Sequence, residues 1–270
     1  MTPTPSRRTS RLMSPRAVQP LANILAMEGV RARALERAGA STTPYTALAL
    51  DEQLAVAKGM MGLPSSPLWQ ATMAMMGGAL LPEVEAIGAT NGQLRYLELG
   101  CGAASALLTL LVLHPQMTAV GVDLTAAALA EARRRAVAVG VADRVELRLQ
   151  DAREVREEAC YDVASWSNHF FPAETRAATL AVVYRALRPG GYLLLSFSGD
   201  PPASAEALRQ SSGRADALSR LLFSSWGVPD LDGGAAEAEV EGAGFTVVRV
   251  MPSPADTLAG MMLVQRPPVS

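Results

Sequence analysis

The chain has one lysine, few aromatic rings, two cysteines and two histidines, and each scarcity closes off a class of function. Lys58 is the lysine, so arginine carries nearly all the positive charge, and the formal net charge is −2 over 270 residues. A balance so near zero produces no global field that draws in nucleic acid. Cys101 and Cys160 are too few for a disulfide framework and suit a reducing compartment. Aromatic residues make up 5% of the chain, which leaves few platforms on which bases could stack. No apolar run approaches the ~20 residues of a membrane span. These absences predict no nucleic-acid partner, no membrane partner, no metal site and a cytoplasmic location. The richness in alanine, glycine and arginine is a compositional sign of a GC-rich bacterial genome. Nothing in the sequence fixes an oligomeric state.

Acidic residues are missing from the first 27 positions, which hold Arg7, Arg8, Arg11 and Arg16. The run Ser6 to Leu12 faintly resembles a twin-arginine export signal, but Gln19, Pro20 and Asn23 break the apolar core such a signal needs. Residues 1–20 are therefore expected to be a disordered basic tail. Residues 21–92 read as a helical segment, with helices over Leu21 to Ala38, Tyr45 to Met61 and Ser66 to Leu81, and a turn at Asn91-Gly92. Trp69, Met73, Met75 and Met76 are candidates to line an apolar pocket there.

From residue 93 the pattern changes to alternating strands and helices. Strands are expected over Leu94 to Leu99, Thr118 to Val122, Val145 to Gln150, Tyr161 to Trp166, Tyr192 to Phe197, Phe245 to Met251 and Thr257 to Gln265. Val145, Leu147 and Leu149 alternate with polar residues, which places that strand at or near a sheet edge. The nearly all-apolar Tyr192 to Phe197 suits the sheet interior. The short link Pro252 to Asp256 cannot hold a crossover helix, so the last two strands pair antiparallel. Helices are expected over Ala104 to Leu113, from Thr125 as cap to Val139, over Pro172 to Leu187 and over Ala203 to Phe223. Arg133 to Arg135 read as a solvated face. The fold class is α/β: a doubly wound, seven-stranded, mostly parallel sheet with the last strand antiparallel, plus an N-terminal helical cap.

Ligands on such sheets bind beyond the carboxyl ends of the strands. Glu98, Gly100 and Gly102 follow the first strand, and glycine at these places lets backbone approach a ligand. Asp123 follows the second, suited to two ribose hydroxyls. Asp151-Ala152 follows the third, where a carboxylate can meet an exocyclic amine. Ser167-Asn168-His169-Phe170-Phe171 follows the fourth. A dinucleotide site would want a third glycine at position 105, where the chain has Ser105. Glu98 would also repel a pyrophosphate and attract a cationic amino-acid end. S-adenosylmethionine has that end, a sulfonium and no phosphate.

Glu98-Leu99-Gly100-Cys101-Gly102, Asp123, Asp151-Ala152 and Leu187-Arg188-Pro189-Gly190-Gly191 resemble the ordered motifs of class I S-adenosylmethionine-dependent methyltransferases, over about residues 94 to 265. The resemblance implies that Glu98, Gly100 and Gly102 face the methionine end, with Cys101 packed beneath it. It implies that Asp123 holds the ribose, that Leu124 lies against the adenine, that Asp151 and Ala152 meet its edge, and that Ser167 offers backbone. His169 is a candidate general base and Asn168 a candidate for orienting substrate. Methyl transfer mainly needs in-line positioning, so a base is dispensable. The loop after the fourth strand lacks the prolines usual in nucleic-acid amino-methyltransferases of this fold. A small organic acceptor, as in secondary metabolism, is the favoured substrate. The alternatives are a peptide or protein acceptor, a non-catalytic S-adenosylmethionine-binding protein and, more weakly, a dinucleotide oxidoreductase. O, N or C as the accepting atom is left open.

Overall fold

A computed structural model describes residues 15–37, 42–59, 61–80, 82–83, 92–198, 204–251 and 259–269. The first elements are helices α1 (Pro15–Glu36), α2 (Leu50–Gly59) and α3 (Pro67–Leu80). Then come β1 (Leu94–Leu99), α4 (Ser105–Leu113), β2 (Met117–Asp123), α5 (Ala126–Ala138), β3 (Val145–Leu149), β4 (Tyr161–Trp166), α6 (Ala173–Ala186) and β5 (Leu187–Ser198). Helices α7 (Ala205–Arg209), α8 (Ser211–Ser225) and α9 (Gly233–Gly242) precede strands β6 (Thr246–Met251) and β7 (Ala259–Gln265).

The seven strands form one sheet in the order β3-β2-β1-β4-β5-β7-β6. All neighbours are parallel except β7, which runs antiparallel to both β5 and β6. The half-polar β3 is an edge and the apolar β5 lies inside, as the patterning requires. The strand order reverses between β1 and β4, which opens a crevice at their carboxyl ends.

Side-chain alternation along β1 divides the core. Leu97 and Leu99 enter the cluster that packs against α6 and α9, while Tyr96 enters the one that packs against α4 and α5. Glu98 shares the Tyr96 face, and period-two geometry alone drives its carboxyl beneath α4. A third cluster joins elements far apart in sequence: Met27, Val30, Leu48 and Val56 pack with Leu222, Trp226 and Val228. The helical part over the sheet is thus built from both the N-terminal segment and α8. The Thr43 N–H donates to the Ser225 carbonyl (2.9 Å) and fastens the two.

Several boundaries differ from the sequence reading. Helix α1 begins at Pro15, so residues 15–20 of the expected tail are helical, and residues 1–14 lie outside the described residues. The helix expected over Tyr45 to Met61 is a 3-10 turn, Tyr45–Ala47, and α2, separated at an extended Leu48. The Gln53 amide donates to the carbonyls of Thr46 (3.2 Å) and Leu48 (2.9 Å), supplying the bonds a continuous helix would have made. The helix over Ala203 to Phe223 is split at Gln210, whose extended backbone precedes Ser211, Ser212 and Gly213, all poor helix formers. Thr125 stands at the N-cap of α5, but its side chain does not cap.

The Arg188-Pro189-Gly190-Gly191 turn is held from the far end of the chain. Gly190 N–H donates to the Arg266 carbonyl (2.8 Å), and Arg266 N–H donates to the Gly191 carbonyl (2.9 Å). The Arg266 guanidinium donates to the carbonyls of Tyr184, Arg185 and Leu187 at 3.0, 3.2 and 2.6 Å, satisfying the C-terminus of α6. A cation bonded to helix-terminal carbonyls contributes about 2 kcal/mol. Arg266→Met is therefore expected to lower the unfolding free energy by about 2 kcal/mol in urea titration, and an unchanged midpoint would remove Arg266 from this role.

Candidate active site

The carboxyl ends of β1 to β4 surround one cavity of about 410 Å³. Every residue expected at a cofactor lines it. Glu98, Gly100, Cys101 and Gly102 come from β1 and its loop, Asp123 and Leu124 from the end of β2, Asp151 and Ala152 from the end of β3, and Ser167 from the end of β4.

The β1 loop is shaped by positive backbone angles, φ +72° at Gly100 and +54° at Gly102. A Cβ on Gly100 would lie 3.0 Å from Phe171 Cε2 and 3.3 Å from Ser167 Cβ, so only glycine lets the β4 loop pack here. Ala104, fully buried at the N-cap of α4, also has φ +53°, a left-handed conformation that costs a non-glycine residue on the order of 1 kcal/mol. Asp123 clasps this loop. Its Oδ2 accepts from Gly102 N–H and its Oδ1 from Thr125 N–H, both at 2.7 Å. Burial nonetheless pushes the Asp123 carboxyl above its ordinary value.

Glu98 is 7% exposed, and its Oε2 makes no hydrogen bond among the described residues. Burial, helped by the negative charge of Asp123, raises its pKa from 4.5 to about 8, against a weaker pull from the Leu107 N–H in the first turn of α4. A buried carboxyl without a partner stays protonated, because ionisation in a poorly solvated site is costly.

At the end of β3 the structure adds a partner the sequence did not suggest. Asp151 Oδ1 accepts from Arg153 N–H (2.8 Å), and the Arg153 guanidinium bonds both Asp151 oxygens, with Nη2 to Oδ2 at 2.6 Å. These bonds hold the Asp151 carboxyl below its ordinary range.

At the end of β4, Asn168 is fully buried and absent from the cavity lining. Its Nδ2 donates to the Ser196 carbonyl (2.6 Å) and its Oδ1 accepts from Ser196 Oγ (2.9 Å). Both ends of the amide are spent on β5, so Asn168 fixes the loop and does not reach a substrate, a correction to its expected role. His169 lies in the 3-10 turn Asn168–Phe170, and its side chain is outside the described residues.

Two further expectations are corrected. Arg135 is buried, not part of a solvated face. Spacing of four puts it beside Glu131, which it bonds at 2.8 Å, and its Nη1 donates to Ser105 Oγ (2.6 Å) where α4 begins. Trp69, Met73 and Met75 do not line the cavity, and Met75 points to solvent; the Met76 side chain is outside the described residues. The apolar wall comes instead from Tyr45, Phe170, Phe171, Phe223 and Trp226. Tyr45 stacks edgewise on Phe170 (5.5 Å) and lies 5.3 Å from Trp226, and Phe170 stacks on Trp226 at 5.7 Å. No sequence period connects these rings, since they come from three separate elements. Among the described residues, no cluster of His, Cys, Asp and Glu could hold a metal.

The Glu98 state has a consequence for stability. The folded chain keeps this proton up to about pH 8, the unfolded chain only to about 4.5. The native state binds the extra proton between those values, so this contribution to stability falls as pH rises through the window. Glu98→Gln carries no titrating proton there. Its melting temperature relative to the native chain is expected to climb from the acid to the alkaline end of the window, and parallel profiles would mean that Glu98 is already ionised.

Residues 97–191 match the family model described as a methyltransferase domain. The methyltransferase ungE' of Aspergillus campestris is 33% identical over 129 residues, covering 43% of this chain and 37% of that protein. A release factor glutamine methyltransferase of Cereibacter sphaeroides is 34% identical over 164 residues, covering 51% and 55%. The chain thus spans about half or less of these relatives. The structure of the mitomycin 7-O-methyltransferase superposes with a TM-score of 0.64 at 18% identity, covering 92% of this chain and 72% of that one, a likeness of fold. Sequence match, strand order and glycine loop agree: residues 97–191 resemble a methyltransferase domain.

Proposed function

We propose that the protein transfers a methyl group from S-adenosylmethionine to a small organic acceptor. The observation that carries the reading is the Glu98 carboxyl: buried, unpartnered at Oε2, and lining the same cavity as an aromatic wall. A pyrophosphate would meet repulsion there, whereas an ammonium would supply the missing partner and draw the carboxyl into its ionised form. The residues fit the cofactor on their own geometry. Glu98 faces its amino-acid end, and Gly100 and Gly102 let backbone close on it. Asp123, held by the N–H groups of Gly102 and Thr125, lines the cavity where the ribose hydroxyls would lie. Leu124 and Ala152 offer apolar contact to the adenine, with Cys101 packed below and Ser167 offering backbone. Asp151 meets the adenine edge as the Asp151–Arg153 pair, both residues lining the cavity. Bound S-adenosylmethionine supplies an electrophilic methyl on a cationic sulfur.

The chain's own part is then positioning and exclusion of water. We assign helices α1 to α3 together with α8 to a cap that closes the acceptor side. Tyr45, Phe170, Phe223 and Trp226 exclude water, Asn168 holds the β4 loop against β5, and His169 is the candidate base for the proton that leaves the acceptor. A closed, apolar wall favours a small molecule over a protein groove. The mitomycin 7-O-methyltransferase, a neighbour in fold, is by its name a small-molecule enzyme. Among the described residues no helix is long and apolar enough to cross a membrane. With both cysteines free, we assign the enzyme to the cytoplasm of a bacterium.

Calorimetric binding tests the cofactor assignment. Removing one charge of a buried pair costs ~2–5 kcal/mol, so Glu98→Gln is expected to weaken S-adenosylhomocysteine by about 100-fold. Methylthioadenosine, which lacks the amino-acid end, is expected to bind both proteins alike. Equal losses for both ligands, or tighter binding of NAD than of S-adenosylhomocysteine, would overturn the assignment.

A further inference from the structure

We propose that the acceptor is an uncharged, flat molecule that presents a hydrogen-bond donor, a hydroxyl or an N–H, to the site. This rests on the methyl-transfer reading and narrows it. Among the described residues lining the cavity, the charged ones are Glu98, Asp123, Asp151 and Arg153, all at the ends of β1 to β3 where the cofactor is assigned. Arg153 is already paired with Asp151. The remaining wall, from the 3-10 turn at Tyr45, the β4 loop and α8, carries no described charge. An acceptor carboxylate or phosphate would be desolvated there with no cation among the described side chains to answer it, which is costly. A cationic acceptor would sit beside the cofactor's positive sulfur and be repelled.

The rings set the shape. Centroid separations of 5.3 to 5.7 Å among Tyr45, Phe170, Phe223 and Trp226 are contact distances. Nothing inserts between the rings, so a ligand lies against them as against a surface, which suits a planar molecule.

The hydroxyls set the polarity. Ser196 Oγ spends its proton on Asn168 Oδ1 (2.9 Å), Thr175 Oγ1 on the Pro172 carbonyl (2.7 Å) and Tyr45 on the Gln53 carbonyl (3.1 Å). All three residues line the cavity. The Ser196 and Thr175 oxygens have lone pairs left and no proton to offer, and the Tyr45 oxygen keeps one beside its bond with the Thr125 side chain, so the group these three match is a donor. The nucleophile of a methyl transfer to O or N is such a donor, and its proton must leave as the bond to carbon forms.

The test is titration of the complex with sinefungin, a cofactor analogue that keeps a positive charge at the place of the sulfonium, formed and checked first, with four probes of one ring system: naphthol, methoxynaphthalene, hydroxynaphthoate and naphthylmethylamine. Failure to form the complex defeats the cofactor reading, and the probes then decide the acceptor class separately. Naphthol is expected to bind at least tenfold more tightly than each of the others. Phe223→Leu is expected to weaken naphthol severalfold and leave the S-adenosylhomocysteine affinity unchanged, and it preserves the packing volume that Trp226→Ala would lose. Thr46→Lys, on the exposed edge of the wall, is expected to raise hydroxynaphthoate binding at least tenfold. Equal or tighter binding of the carboxylate, the amine or the ether by the native complex would overturn the proposal. So would no measurable naphthol binding, or naphthol affinity indifferent to Phe223→Leu.

Discussion

The carboxyl of Glu98 is placed by the pleat of a buried strand where it is poorly solvated and, among the described residues, no arginine or lysine answers it. Parallel strands at the sheet centre are covered on both faces, so the β1 side chains from Tyr96 to Leu99 are taken into the interior. The same strand ends in glycines whose left-handed backbone turns the chain under α4, and Asp123 from β2 ties that turn down. The price is a carboxyl held neutral up to about pH 8. On the proposed reading, a cation delivered from outside relieves that state, and the sheet's switch point is where ligands bind in such folds. Cofactor choice, in this account, is decided by one unanswered acid more than by the glycines, which many nucleotide sites share.

The acceptor side obeys a different economy of residues. The chain is poor in aromatic rings, yet five of them line one cavity. They arrive from the N-terminal segment, the β4 loop and the end of α8, and four of them, all but Phe171, hold one another at contact distance. The cluster lines the site and joins the N-terminal helices and α8 to the β4 loop through Phe170. Ser196 and Asn168 lock the β4 loop to β5, which keeps Phe170 and Phe171 in register with the glycine loop beneath.

Much of this was legible in the sequence, for reasons that differ residue by residue. The strand ends could be read because an apolar run followed by Glu, Gly or Asp is a local signal, and the fold turns local order into spatial order. The edge position of β3 and the antiparallel β7 followed from alternation and from a short link. What escaped was non-local. Arg135 sits in a run of three arginines, and only the α4–α5 packing selects it for burial beneath Ser105. Asn168 has the chemistry of a substrate ligand, but a hydrogen-bond partner 28 residues away consumes it. Arg153 looks like surface charge until the Asp151 turn folds it back. The methionines of α3 looked like a pocket because composition carries no direction, whereas the true wall needed Tyr45 and Trp226 to meet from opposite ends of the chain.

The most direct test of the central claim is the proton balance of cofactor binding. S-adenosylhomocysteine would be titrated into the protein near neutral pH in buffers of different ionisation enthalpy. If Glu98 is neutral in the free protein and ionised against the ligand's ammonium, binding releases close to one proton, and Glu98→Gln releases none. Binding with no proton release by the native chain would contradict the account, because the carboxyl would then be ionised already or untouched by the ligand.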